Sequence, residues 1–89
     1  MLFVITLTKQ AIKDLESLDA SVTKRIVAKL KMYSKADNPM QFAKSLSGSF
    51  QGLYRFRIGD YRVIFDRNDK GECTILLILQ IDHRKDIYN

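Results

Sequence analysis

The sequence predicts a small α+β fold: an antiparallel-rich sheet with an N-terminal helical hairpin packed on one face. Three features point to it. An apolar, β-branched stretch at residues 2–7 precedes two segments whose apolar residues recur at helical spacing. After residue 53 the pattern changes to alternation of apolar and charged side chains. Residues 73–81 then form the most apolar run in the chain. The order is β-α-α-β-β-β, with the last three strands as a meander and both helices on one side.

Each element follows from local chemistry. Thr8 suits the cap of a first helix over residues 9–18, with Ala11, Ile12, Leu15 and Leu18 as its apolar stripe. Ser21 suits the cap of a second helix, where Val22, Ile26, Leu30 and Tyr33 form the stripe and Val27 widens it. Lys24, Arg25, Lys29, Lys31 and Lys35 fill the rest of that helix, the composition of a solvated face. Asn38 before Pro39 resists helical geometry and ends it. Residues 40–51 read as a connector anchored by Phe42, Leu46 and Phe50. A hairpin follows, 53–58 and 61–67, around a Gly59-Asp60 turn of type II′, which needs positive φ at its first position. Asn68-Asp69-Lys70-Gly71 makes the next turn. The run 73–81, apolar at consecutive positions, reads as an interior strand covered on both sides.

The hairpin carries the functional signal. Its register sets Ile58 against Tyr61, Arg57 against Arg62, Phe56 against Val63 and Arg55 against Ile64. Alternation then gives Tyr54, Phe56, Ile58, Tyr61, Val63 and Phe65 to a core face, and Arg55, Arg57 and Arg62 to the other. Any half-exposed strand alternates in this way, and such arginines commonly just keep a face wet. Here, however, the exposed positions are arginine rather than a mixture, and Arg is shaped to grip phosphate through two parallel hydrogen bonds. Like charges directly opposite one another also destabilise a strand pair, so Arg57 beside Arg62 suggests an anion between them.

Composition bounds the rest. The 89 residues fit one domain, 1–89, with a modest core. A hydrophobic content of 46% argues for a packed fold. Fifteen basic against ten acidic residues give a net charge of +5, which favours a polyanionic partner, either nucleic acid or an acidic protein. The single cysteine, Cys73, excludes an internal disulfide, fits a reducing cytoplasm, and reads as a buried filler. One histidine and one cysteine cannot build the usual zinc site, so no metal or cofactor is expected. No stretch reaches transmembrane length, and the apolar start lacks the flanks of a signal peptide.

The segment Leu53-Tyr54-Arg55-Phe56-Arg57-Ile58-Gly59-Asp60-Tyr61-Arg62-Val63-Ile64-Phe65 and the ending Asp82-His83-Arg84-Lys85-Asp86-Ile87-Tyr88 resemble the RelE/ParE superfamily of bacterial and archaeal toxins. Leu46-Ser47-Gly48 is similar to the small element that precedes the hairpin in that superfamily. The resemblance spans essentially the whole chain and favours the RelE-like branch. It implies the toxin of a type II toxin–antitoxin system, a ribosome-dependent messenger RNA endonuclease that cuts in the decoding (A) site and inhibits translation. The chemistry implied is metal-independent attack of a ribose 2′-hydroxyl on the adjoining phosphate, which needs cations around the phosphate and proton transfer at both oxygens.

Carried over by resemblance, Arg62 stabilises the phosphate, and Arg55 and Arg57 take the two other basic hairpin positions. Arg84 is the arginine after the last strand, Lys85 joins the RNA-binding set, and Tyr88 stacks on or orients the nucleotide. Relatives often carry lysine as candidate base where this chain has Arg57, and an always-protonated arginine is a poor base. His83 is then the expected proton carrier, since histidine ordinarily titrates near neutrality. The expected partners are the ribosome, messenger RNA and a cognate antitoxin. Two other readings stay open: a ParE-like inhibitor of DNA gyrase, and a non-toxic co-repressor module.

Overall fold

The computed structural model describes residues 2–83. Strand β1 (Leu2–Leu7) leads into helices α1 (Lys9–Glu16) and α2 (Ala20–Lys35). A short strand β2 (Ala43–Ser45) lies between two 3-10 turns, Pro39–Phe42 and Gly48–Phe50. The meander β3 (Tyr54–Ile58), β4 (Tyr61–Lys70) and β5 (Cys73–His83) completes a five-stranded mixed sheet of order β1-β5-β4-β3-β2. β1 runs parallel to β5, and the other neighbours pair antiparallel. The α+β class and the β-α-α-β-β-β skeleton stand, with β2 as an added strand.

Both helices pack on one face of the sheet. Ile26, Leu30 and Tyr33 of α2 and Ala11 and Leu15 of α1 meet Phe56, Ile58, Val63, Phe65, Leu76, Ile78 and Ile81 in a single apolar cluster. Burial of these side chains is the main force holding the layers together. Thr23 ties the helices to each other by donating to the Leu15 carbonyl at 2.7 Å.

The hairpin register is as the turn dictates, from Ile58↔Tyr61 through Arg55↔Ile64. Gly59 has φ +59 and Asp60 has no positive φ, the pattern of a II′ turn. Thr8 caps α1, accepting from the Ala11 N–H at 3.1 Å.

Five expectations are corrected. The turn expected over residues 68–71 is strand as far as Lys70, and the chain reverses at Gly71-Glu72. Helix α1 stops at Glu16, short of Leu18, which is only partly buried, and within the helix Ile12 faces solvent at 44% exposure. The cap of α2 is Asp19 rather than Ser21. The Asp19 carbonyl accepts from Val22 and Thr23, and its side chain caps nothing. The connector 40–51 contains β2, a three-residue edge strand whose Lys44 pairs with Arg55. Finally, β5 is fully covered on one side only: Thr74, Leu76, Ile78 and Ile81 are buried, while Ile75, Leu77 and Leu79 are half-buried.

Two details fix the far end of β5. The β4–β5 register shifts so that Ile64 faces Gln80 while Phe65 faces Ile78, leaving Leu79 as the extra residue of a β-bulge. Pairing with β1 stops at Leu7↔Ile78. Beyond that point, side chains of the first helix region take over. The Thr8 hydroxyl donates to the Leu79 carbonyl at 2.9 Å, and Asp14 Oδ2 accepts from the Ile81 N–H at 2.9 Å. These bonds satisfy backbone groups that would otherwise be left at an unpaired strand edge.

Candidate functional site

The outer face of the sheet, away from the helices, carries a row of charges across three adjacent strands. Arg57 of β3 pairs with Arg62 of β4, which pairs with Asp82 of β5. Arg57 is exposed. Arg62 is not: its side chain is 16% exposed, its Nη2 lies 3.2 Å from Asp82 Oδ2, and its Cζ sits 5.2 Å from the centre of the Phe50 ring. That ring belongs to the Gly48–Phe50 turn and offers a cation–π contact. Arg62 Nε is buried and has no hydrogen-bond partner among the described residues. Gln80 Nε2 donates to both Asp82 oxygens, at 2.9 and 3.1 Å.

The next row is Arg55, Ile64 and Gln80. Arg55 is half-buried and Ile64 fully buried, although Ile64 is on the arginine side. Arg25 of α2 reaches the tip of the hairpin, where its Nη1 is 3.3 Å from the place a Cβ would occupy at Gly59. A helix-borne cation therefore borders the same turn.

The structure thus brings Arg55, Arg57 and Arg62 to one face. His83 is on the other. It pairs with Tyr61, which packs on the helix-side core, and the two rings meet edge-on at 4.9 Å. Arg84, Lys85 and Tyr88 lie outside the described residues. Arg67, further along β4, pairs with the core-face residue Leu76 and meets Asp69 at 3.2 Å. The Thr74 hydroxyl, and then Arg67, hold the Asp69 carboxyl below the usual carboxylate range. Among the described residues, no group of three His, Cys, Asp or Glu side chains could hold a metal ion. Nor is any helix among them long and apolar enough to cross a membrane.

Asp82, Gln80 and Phe50 are the contacts that sequence reasoning missed. Counting back from the β4–β5 turn without the bulge would set Ile81, not Asp82, against Arg62. The one-residue shift moves each later side chain to the opposite face. It brings Asp82 to the arginines and sends His83 to Tyr61.

On the helix side, an apolar groove of about 380 Å³ runs between β1 and α2, lined by Phe3, Ile5, Leu7, Val27 and Leu30 among others.

Residues 5–88 match the family described as the ParE toxin of type II toxin–antitoxin system, parDE. The chain is similar to Toxin RelG of Mycobacterium tuberculosis, 32% identical over 91 residues that cover 99% of this chain and 98% of the relative. Its fold is similar to a chain of the RelBE2 toxin–antitoxin complex of the same organism, with TM-score 0.70 and 29% identity over 94% of this chain and 100% of that one. The archaeal RelE–RelB complex of Pyrococcus horikoshii contains another similar chain, with TM-score 0.67 and 30% identity over 94% of this chain and 97% of that one.

Proposed function

The chain belongs to the ParE toxin family of type II toxin–antitoxin systems, within the RelE/ParE superfamily, and from that premise we propose that it is a ribosome-dependent messenger RNA endonuclease. The observation that carries this reading is the direct pairing of Arg57 with Arg62 on the outer face. A like-charge pair weakens the sheet, and it becomes favourable when a phosphate enters between the two guanidinium groups.

In the proposed reaction the ribose 2′-oxygen attacks the adjoining phosphorus and the 5′-oxygen leaves. The products are a 2′,3′-cyclic phosphate and a free 5′-hydroxyl. Arg57 and Arg62 hold the non-bridging oxygens as negative charge grows on them. Arg55 contacts the neighbouring backbone. Arg84 and Lys85 add positive charge after β5, and Tyr88 orients the nucleotide. His83 takes the 2′-hydroxyl proton or delivers one to the leaving oxygen. Its ring stands beside Tyr61, at the end of β5. With the phosphate held by Arg57 and Arg62 on the outer face, this role requires the ribose to reach round the end of the sheet to the face that carries His83.

The proposed partner is a cognate antitoxin, as in the RelBE2 toxin–antitoxin complex of Mycobacterium tuberculosis. An acidic segment laid over the arginine row would exclude RNA. The apolar groove between β1 and α2 offers a second place of contact.

A second reading has its own support, because the family match carries the ParE name. On that reading the arginine face grips DNA gyrase and cuts nothing. The test adds purified chain to translating ribosomes with a defined messenger, beside naked messenger, and maps new 5′ ends. Cuts confined to the decoding site, and lowered on the order of 100- to 1,000-fold by Arg62→Ala in a folded protein, are expected. Intact messenger together with gyrase-dependent DNA breaks would replace the nuclease by the gyrase inhibitor.

A further inference from the structure

Asp82 sits where a nuclease gains least from a carboxylate. It shares the outer face with three arginines and would repel an incoming phosphate. As a stability device the Arg62–Asp82 pair is also poor. Partly exposed ion pairs contribute little, and withdrawing two charges from water is costly. The buried Nε–H of Arg62, with no partner among the described residues, adds a further cost. Yet the pair is elaborately supported. Gln80 holds both oxygens of Asp82, Phe50 lies against the guanidinium, and the bulge at Leu79 puts Asp82 in register with Arg62.

We infer that Asp82 is a positioning residue: it holds the Arg62 guanidinium by Nη2, so that its other donors are fixed in place for the phosphate before the substrate arrives. This rests on the nuclease reading. A guanidinium is a planar fork of five donors, and committing Nη2 to a carboxylate while Nε is buried leaves the remaining Nη donors oriented. Arg57, exposed and with no such carboxylate opposite it, supplies attraction, and Arg62 supplies geometry. Preorganised donors are worth most where charge develops during the reaction, because they need no reorientation at that moment.

Two roles for Asp82 make opposite predictions. If it only damps the positive face, Asp82→Asn raises both RNA binding and cleavage. If it positions Arg62, Asp82→Asn leaves ribosome affinity equal or tighter while the chemical step slows. The measurement is single-turnover cleavage of a defined messenger on translating ribosomes, with ribosome affinity taken separately from its concentration dependence.

The expected result for Asp82→Asn is a rate loss on the order of 100-fold at unimpaired affinity. Asp82→Glu, which keeps the charge, recovers most of the rate. With Arg62→Lys already present, Asp82→Asn costs little more, because the two residues act as one unit. A faster or unchanged Asp82→Asn overturns the inference. So does loss of rate and affinity together that Asp82→Glu does not rescue, or full additivity with Arg62→Lys. A wild-type chain that cuts nothing is a different failure: it removes the nuclease reading and this inference with it.

Discussion

On the helix side of β3 and β4, Phe56, Val63 and Phe65 have no exposed surface, and Phe56 stacks at 4.3 Å on Phe65 and 4.8 Å from Tyr33. One residue along the same strands, Arg57 and Arg62 face each other on the outer side, and Arg62 keeps a buried Nε–H that nothing among the described residues accepts. The first arrangement is what packing alone would select: apolar rings in contact, with no polar atom stranded. The second runs against pairing, solvation and hydrogen-bond satisfaction together. Adjacent residues on one backbone thus answer to different demands, and departures from stability concentrate where function is expected.

Neighbouring substitutions test this contrast. Phe56→Ala empties the centre of the ring stack and is expected to cost about 3–5 kcal/mol, read from urea unfolding. Arg57→Ala, one position on, should change stability by no more than about 0.5 kcal/mol, and in the stabilising direction because it removes a like-charge pair. A large loss from Arg57→Ala would break the contrast, since the outer face would then be structural too.

Next in size is the link between the two faces. Asp14 Oδ2 accepts from the Ile81 N–H, immediately before Asp82. Asp14→Ala strands that donor and should cost about 1–3 kcal/mol. Amide exchange at Ile81 should quicken more than at Leu76. Uniform quickening would mean that Asp14 serves the whole core rather than the end of β5.

The smallest effect is expected at high pH. Burial raises the Tyr33 hydroxyl above the ordinary tyrosine pKa, so the fold favours its neutral form. That preference is fully present below the unfolded-state pKa of about 10 and is lost as pH rises through the folded value. Unfolding midpoints should therefore fall above about pH 10, and Tyr33→Phe should flatten the fall. An equal fall in the Phe variant would assign the alkaline loss elsewhere.

How much of this was legible depended on how far each signal reaches. The Gly59-Asp60 turn fixes the hairpin pairing within a few residues, so the arginine face could be written down from the sequence. The helical stripes were legible for the same local reason, except at Ile12, which α1 turns to solvent, and at Leu18, which lies past the helix end at Glu16. β2 was not legible, because Ala-Lys-Ser has no strand preference and pairs only because β3 lies beside it. The bulge at Leu79 was equally hidden within an apolar run, and it decides the fate of two site residues. Asp82 joins the arginines and His83 leaves them through a shift that no nearby residue announces.

The parallel contact between the edge strand β1 and its neighbour β5 also bears on when Arg62 meets its carboxylate. Thr8 and Leu79 are hydrogen-bonded yet 71 residues apart. β5, which joins β1 to β4, is the last strand of the sheet to be synthesised. Until it arrives, β1 has no neighbour and Arg62 has no carboxylate opposite. Loop closure over such a distance must be met before the contact rewards it, which makes this the slow part of folding. Birth order thus separates making the hairpin from completing its outer face, and the length of that interval is written into the topology.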